Sequence, residues 1–139
     1  MIHRTLVTTA CLLLVVSQSG LAADVPEWRA WRGPHGNGSV ELGNYPIKFN
    51  SEKHHWRTEL PGKGCSTPIL LQGLIYVTAP VEGTDALLCY DLQGAEKWRT
   101  VFGKENAGKH RNGSGSNASP ATDGKAIFVY FKSGTLAAV

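Results

Sequence analysis

With 139 residues and a formal net charge of +3, the chain has room for one small domain at most. Its charges form neither a basic stripe nor an acidic block, so nothing in them argues for nucleic acid or anionic membrane; no nucleic-acid partner is expected, and the isolated positive charges read as solvated surface.

The first residues read as a leader. His3 and Arg4 precede an apolar run over residues 6–16, and Gly20-Leu21-Ala22 places small side chains where a signal peptidase reads. The expectation is a signal peptide over 1–22, cut after Ala22 or Ala23, with the mature protein periplasmic or secreted. The apolar run is shorter than the ~20 residues a spanning helix needs, so no stable membrane span is expected after cleavage. Loss of Arg4 with the leader brings the net charge to about +2. Cys11 lacks a leucine three residues before it, so no lipid anchor is expected.

Residues 23–53 are rich in Gly, Pro and Asn and show no clean period of 3.6 or 2. They read as an irregular N-terminal segment that packs through Trp28, Trp31, Tyr45 and Phe49, with room for one short strand.

From residue 54 to residue 139 the chain is a repeat. Trp56-Arg57-Thr58 returns as Trp98-Arg99-Thr100, an interval of 42 residues. The Thr67-Pro68 pair returns as Ser119-Pro120, and Ile75-Tyr76-Val77 returns as Ile127-Phe128-Val129, both 52 apart. The extra ten residues fall in one polar, glycine-rich stretch, 103–117, expected to be mobile.

In the first unit, His55-Trp56-Arg57-Thr58-Glu59-Leu60 alternates apolar and polar side chains before Pro61-Gly62 turns the chain. Strands are expected at 68–71, 74–79 and 86–90, followed by one ending at Trp98. Their separators are Gln72-Gly73, Glu82-Gly83-Thr84-Asp85 and Asp91-Leu92-Gln93-Gly94. The second unit has Thr122-Asp123-Gly124 as the turn into a strand at 125–130 and Lys132-Ser133-Gly134 as the turn into one at 135–139. Four short strands per unit at a period in the forties define β-propeller blades, which cannot bury their apolar faces alone. The fold class is therefore all-β, with fewer than two blades present. The chain is expected to be an N-terminal fragment whose partners are the missing blades, and to be poorly soluble when expressed by itself.

Several constellations are weighed and set aside. His54-His55 with His35 and His110 lacks metal-ligand spacing, and neighbouring residues on a strand face opposite ways; no metal is expected. Gly62-Lys63-Gly64-Cys65-Ser66-Thr67 lacks the residue order of a phosphate loop and no helix follows it. Ser66, Ser119 and Cys65 beside His110 show no nucleophile elbow, so no catalytic residue is assigned. Residues 111–117 could line a ligand mouth, but read more simply as an insertion. Cys65 and Cys89 have an oxidising compartment in which to pair, but an intervening strand would hold them about two strand spacings, ~9.6 Å, apart, so the sequence favours free thiols without settling the pairing.

Cys89-Tyr90-Asp91-Leu92-Gln93-Gly94-Ala95-Glu96-Lys97-Trp98 resembles the tryptophan-docking motif A-x-D-x-x-x-G-x-x-x-W of the pyrroloquinoline-quinone-like (PQQ-like) β-propeller repeat family. The Asp-to-Gly spacing is one residue shorter, and Cys89 stands in place of alanine. Ser119-Pro120-Ala121 with Asp123-Gly124 and Ile127-Phe128-Val129 is similar to the family's S-P-V-x-x-D-G-x-V-Y-V run. Trp31-Arg32-Gly33-Pro34-His35-Gly36-Asn37-Gly38 is similar to the segment that opens many exported members.

The resemblance marks Trp56, Pro68, Asp91, Gly94, Trp98, Pro120 and Gly124 as structural repeat positions. In the physical reading, Asp91 and Gly94 build a turn, while Trp56 and Trp98 offer flat surfaces to the neighbouring blade, each with an N–H seeking a carbonyl. The resemblance implies an exported, non-catalytic binding or scaffolding module with no cofactor, its partners including envelope proteins. Two alternatives stand beside it: the N-terminal part of a quinoprotein dehydrogenase holding PQQ and calcium, or the accessory propeller of a larger exported enzyme. The first reading leans away from an enzyme.

Overall fold

The computed structural model describes residues 26–40, 43, 45, 47, 48, 50, 52, 54–111 and 113–139, which contain strands, turns and loops and no helix. The leader and Phe49 lie outside the described residues. None of the described residues forms a helix long and apolar enough to cross a membrane.

A four-stranded antiparallel sheet is built in chain order from β1 (Ile69–Leu71), β2 (Leu74–Val81), β3 (Thr84–Asp91) and β4 (Glu96–Lys104). The turns fix its register. Gln72 and Gly73 both have positive φ, 50° and 74°, as do Glu82 and Gly83, 48° and 76°. These are the backbone angles of the two-residue hairpin whose twist matches that of the flanking strands.

Two expectations about these strands are corrected. The separator at 82–85 shrinks to Glu82-Gly83, because the Thr84 hydroxyl bonds back to the Val81 carbonyl at 2.6 Å and Asp85 pairs with Pro80 in the ladder. Residues flanking a two-residue turn exchange hydrogen bonds, so the next pair does not. Pro80 therefore turns its missing N–H away from β3, toward a side where β1 has already ended. The fourth strand, in turn, does not stop at Trp98 but runs on to Lys104, taking Gly103 and Lys104 out of the expected loop. Its register slips between Asp85 and Ala86 and between Cys89 and Tyr90.

The second sheet, β5 (Ala121–Thr122), β6 (Ile127–Tyr130) and β7 (Leu136–Ala138), is likewise an antiparallel meander, with β6 and β7 shorter than the expected 125–130 and 135–139. Beyond β7, Ile127 and Val139 still exchange both backbone hydrogen bonds, at 2.8 and 3.0 Å. The two sheets pack face to face. Ile69, Leu71, Tyr76, Leu87 and Cys89 of the first meet Ile127, Val129 and Phe131 of the second, with Phe102 tilted against Phe131 at 5.3 Å between ring centres. The opposite face of the first sheet carries Val77, Ala79, Leu88 and Tyr90.

The N-terminal segment joins the two sheets. Trp28 exchanges backbone hydrogen bonds with Leu70 of β1 at 2.8 and 2.9 Å, and the neighbouring Arg29 carbonyl accepts from Thr122 N–H of β5 at 2.9 Å. Trp28 lies flat on Gly33: a Cβ there would sit 2.8 Å from the indole, at a φ of +71°. The expected packing through all four aromatics is corrected, because Trp31 and Tyr45 are exposed and Trp28 does the anchoring. Residues 54–60, whose alternation suggested a strand, take no ladder partner among the described residues.

Candidate functional site

The best-defined side-chain constellation lies where segment 54–60 crosses the β3–β4 turn. The Asp91 carboxylate accepts from the N–H groups of Gln93 (3.0 Å) and Ala95 (2.9 Å), and Gly94 N–H donates to the Asp91 carbonyl at 3.0 Å. Gly94 has φ +82°. Trp56 sits on this turn. Its indole N–H donates to the Leu92 carbonyl at 2.6 Å, and the Thr58 hydroxyl donates to the Gly94 carbonyl at 2.6 Å. A Cβ on Gly94 would lie 2.6 Å from the Trp56 ring, so glycine is required here by both contact and conformation.

Trp98, 42 residues on, stands opposite Cys89 in the ladder and tilts against Tyr76, with 5.8 Å between ring centres. Cys89 is fully buried. Burial raises its thiol above the ordinary value, against the lowering effect of a hydrogen bond from Tyr76; burial likewise raises the Tyr76 phenol, Cys89 adding to the shift. Of the other repeat positions, Pro120 is fully buried. Gly124 turns at φ +93° beside Asp123, whose carboxylate accepts from Ala126 and Lys125 N–H at 3.0 and 2.8 Å. Those two bonds hold the Asp123 carboxyl below its usual range.

Between Trp56, Thr58 and Leu60 on one side and Pro68, Ile75, Val77 and Tyr90 on the other lies an apolar pocket of about 210 Å³. The Tyr90 hydroxyl is buried and has no hydrogen-bond partner among the described residues; burial raises its pKa, and the nearby Glu96 adds to the shift.

A second, polar constellation was not singled out from the sequence. Asp85 is fully buried and accepts from the hydroxyls of Ser116 (2.8 Å) and Ser133 (2.7 Å). It thus ties β3 both to the long loop and to the β6–β7 turn. Thr78 Oγ1 lies 2.8 Å from the Ala118 carbonyl and 3.1 Å from that of Ser116. Glu105 accepts from Gly115 N–H at 2.6 Å, and Lys132 N–H donates to the Gly115 carbonyl at 3.0 Å. The loop expected to be mobile is thus pinned along residues 114–118, with Ser114 and Ser116 buried. The one available signal was an aspartate directly before the apolar run Ala86–Tyr90 of β3.

The constellations set aside on sequence grounds have local duties. Ser66 Oγ donates to the Thr78 carbonyl and accepts from Thr78 N–H, and Ser119 Oγ accepts from Thr67 N–H at 2.8 Å. Gly62 and Gly64 lie against the Pro80 and Thr78 carbonyls, where any Cβ would overlap. Their glycines serve close packing. No group of three or more His, Cys, Asp or Glu among the described residues is placed to hold a metal ion.

An antiparallel four-stranded meander stacked face to face on a second meander, with a tryptophan seated on an Asp-to-Gly turn, defines blades of an incomplete β-propeller. A sequence profile described as "Outer membrane protein assembly factor BamB" matches residues 45–139, more than half of the chain, and the chain belongs to this PQQ-like repeat family. No curated protein matches it.

Proposed function

We propose that this chain is part of an exported propeller that acts as a non-catalytic binding or scaffolding module, carried to the periplasm or beyond by its N-terminal leader. The observation that carries the reading is the seat of Trp56 on Gly94 and the Leu92 carbonyl. The tryptophan-docking motif serves here to pack one unit on the next, and its aspartate is occupied by backbone donors. The family's description as an assembly factor supports contacts with envelope proteins as the function of such a surface.

The test uses the native exported protein. Intact mass is expected to place its first residue at Ala23 or Asp24. Addition of PQQ and Ca²⁺ with an alcohol and an artificial electron acceptor is expected to give no turnover. Turnover that requires both additions would replace this reading with that of a quinoprotein dehydrogenase.

A further inference from the structure

The turns of a meander alternate between its two ends, so each end gathers residues that lie far apart in the sequence. The β2–β3 turn, the long loop after β4 and the β6–β7 turn share one end: Glu105 N–H donates to the Gly83 carbonyl at 2.8 Å, and the Ser133 hydroxyl reaches Asp85. Segment 61–67 joins them there, because Gly62 and Gly64 lie on the Pro80 and Thr78 carbonyls.

Cations collect at this end. Lys63, Lys104, Lys109, Arg111 and Lys132 are all exposed, and none of them is in an ion pair among the described residues. The acids of the same turns and loop face inward. Asp85 is buried under the Ser116 and Ser133 hydroxyls, and the Glu105 carboxylate is taken by Gly115 N–H, which leaves Glu82 as the acid exposed there. The opposite end balances its charges locally. Arg29 pairs with Glu27 at 2.6 Å and Lys97 with Asp91 at 3.9 Å, and Asp123 stands two residues from Lys125.

The cations at the loop tip are held in place. Gly113 N–H donates to the His110 carbonyl at 2.9 Å. Gly108 lies so close to Gly113 that a Cβ would sit 2.6 Å from its carbonyl carbon, and the Lys132 ammonium donates to the Ala107 carbonyl at 2.8 Å. Lys109 and Arg111 therefore stand on a closed turn above a pinned neck, and less ordering entropy opposes their use in binding. Neighbouring blades meet through their sheet faces, so this end stays open in a propeller of any blade number.

We propose that this end is the docking surface for an acidic segment of a partner protein, whose carboxylates meet Lys109 and Arg111 at the tip and Lys63, Lys104 and Lys132 around it. The proposal rests on the binding-module reading above and gives it a place and a partner chemistry. An arginine fork and separate ammonium groups suit carboxylates on an extended chain. The segments at this end, 61–67, 103–118 and 132–134, contain no Phe, Tyr or Trp on which bases could stack and no large apolar side chain to enter a bilayer.

The test uses the native exported protein and a fluorescent peptide of alternating Glu and Ala, with Gln in place of Glu as the control. Anisotropy is expected to show saturable binding of the Glu peptide, no binding of the Gln peptide, and loss of binding as salt shortens the screening length below ~10 Å. Lys109→Glu combined with Arg111→Glu, both at exposed positions, is expected to weaken binding about tenfold or more by like-charge repulsion. Lys125→Glu, at the opposite end, is expected to change it by less than about twofold. Unchanged far-UV spectra establish that both variants are folded. Absence of peptide binding would overturn the proposal, as would equal weakening by the two variants. Tighter binding of a single-stranded oligonucleotide or of anionic phospholipid vesicles, sensitive to the same double substitution, would overturn the assignment to a protein partner. None of these results bears on catalysis, whereas turnover with PQQ and Ca²⁺ would remove the non-catalytic reading even in a protein that binds the peptide.

Discussion

At Gly94 a single hydrogen atom decides whether two units can meet. The residue combines a φ of +82° with an indole where its Cβ would be. Gly94→Ala therefore incurs both left-handed strain and displacement of Trp56, together costing about 1–3 kcal/mol. Chemical denaturation should show the loss as a lower midpoint. Trp56→Phe isolates a different part of the seat: the flat surface remains while the 2.6 Å bond to the Leu92 carbonyl disappears, for about 0.5–1.5 kcal/mol. Asp85 has the larger effect, because it is buried and two hydroxyls donate to it. Asp85→Ala leaves both donors without their acceptor and is expected to destabilise by roughly 2–4 kcal/mol. Asp85→Asn retains one acceptor oxygen and should fall between the two. Titration acts at the same level. Cys89, Tyr76 and Tyr90 are all held above their ordinary values, 9.0 for the thiol and 10.0 for the phenols, chiefly by burial. Their neutral forms are favoured by the fold, so this contribution is complete below about pH 9 and is lost as the pH rises through the raised values. The thermal midpoint should thus fall steeply above pH 9, and Cys89→Ala should remove the first part of that fall.

The elements most legible in the sequence are those specified by adjacent residues. Gln72-Gly73 and Asp91 to Gly94 mark their turns through local chemistry, and the recurrence of Ile-aromatic-Val at 52 residues placed β2 and β6 in equivalent positions. What was not legible depends on partners far along the chain. β4 outruns Trp98 because β3 already offers it a ladder as far as Thr84. The long loop looked mobile because its composition is polar and rich in glycine. Its order comes from Asp85, Glu105 and Thr78, which no local window brings together. The same holds for Trp56: its motif was readable, but its position on Gly94 of the following unit is a contact over 36 residues or more. A specific consequence concerns this loop. Glu105→Ala removes the acceptor of Gly115 N–H and should raise amide hydrogen exchange at residues 113–118 by tenfold or more, about 1.4 kcal/mol of local opening. Exchange in the β2–β3 hairpin should stay unchanged. Equal acceleration in both places would mean that the loop and the sheet open as one unit.

In the molecule as a whole, the two sheets are held together by three kinds of contact. The apolar layer around Phe131 is the broadest, the Asp85 hydroxyl pair lies at one margin, and Trp28 with Arg29 joins the first strands of both sheets. No single strand of the second sheet is longer than four residues, below the usual five or six, and its buried Ile127 and Val129 pack against the first sheet. The second sheet therefore depends on the first far more than the first depends on it. Phe131 is fully buried at the centre of this contact and tilted against Phe102. Phe131→Ala should cost about 3–5 kcal/mol, and the loss should be unevenly distributed. Exchange at Ile127, Val129 and Ala137 is expected to rise to that of open chain, while the amides of Leu87, Leu88 and Cys89, paired on both sides within the first sheet, remain protected. If β3 lost protection together with β6, the two blades would be a single cooperative unit, and the dependence of the second sheet on the first would be mutual.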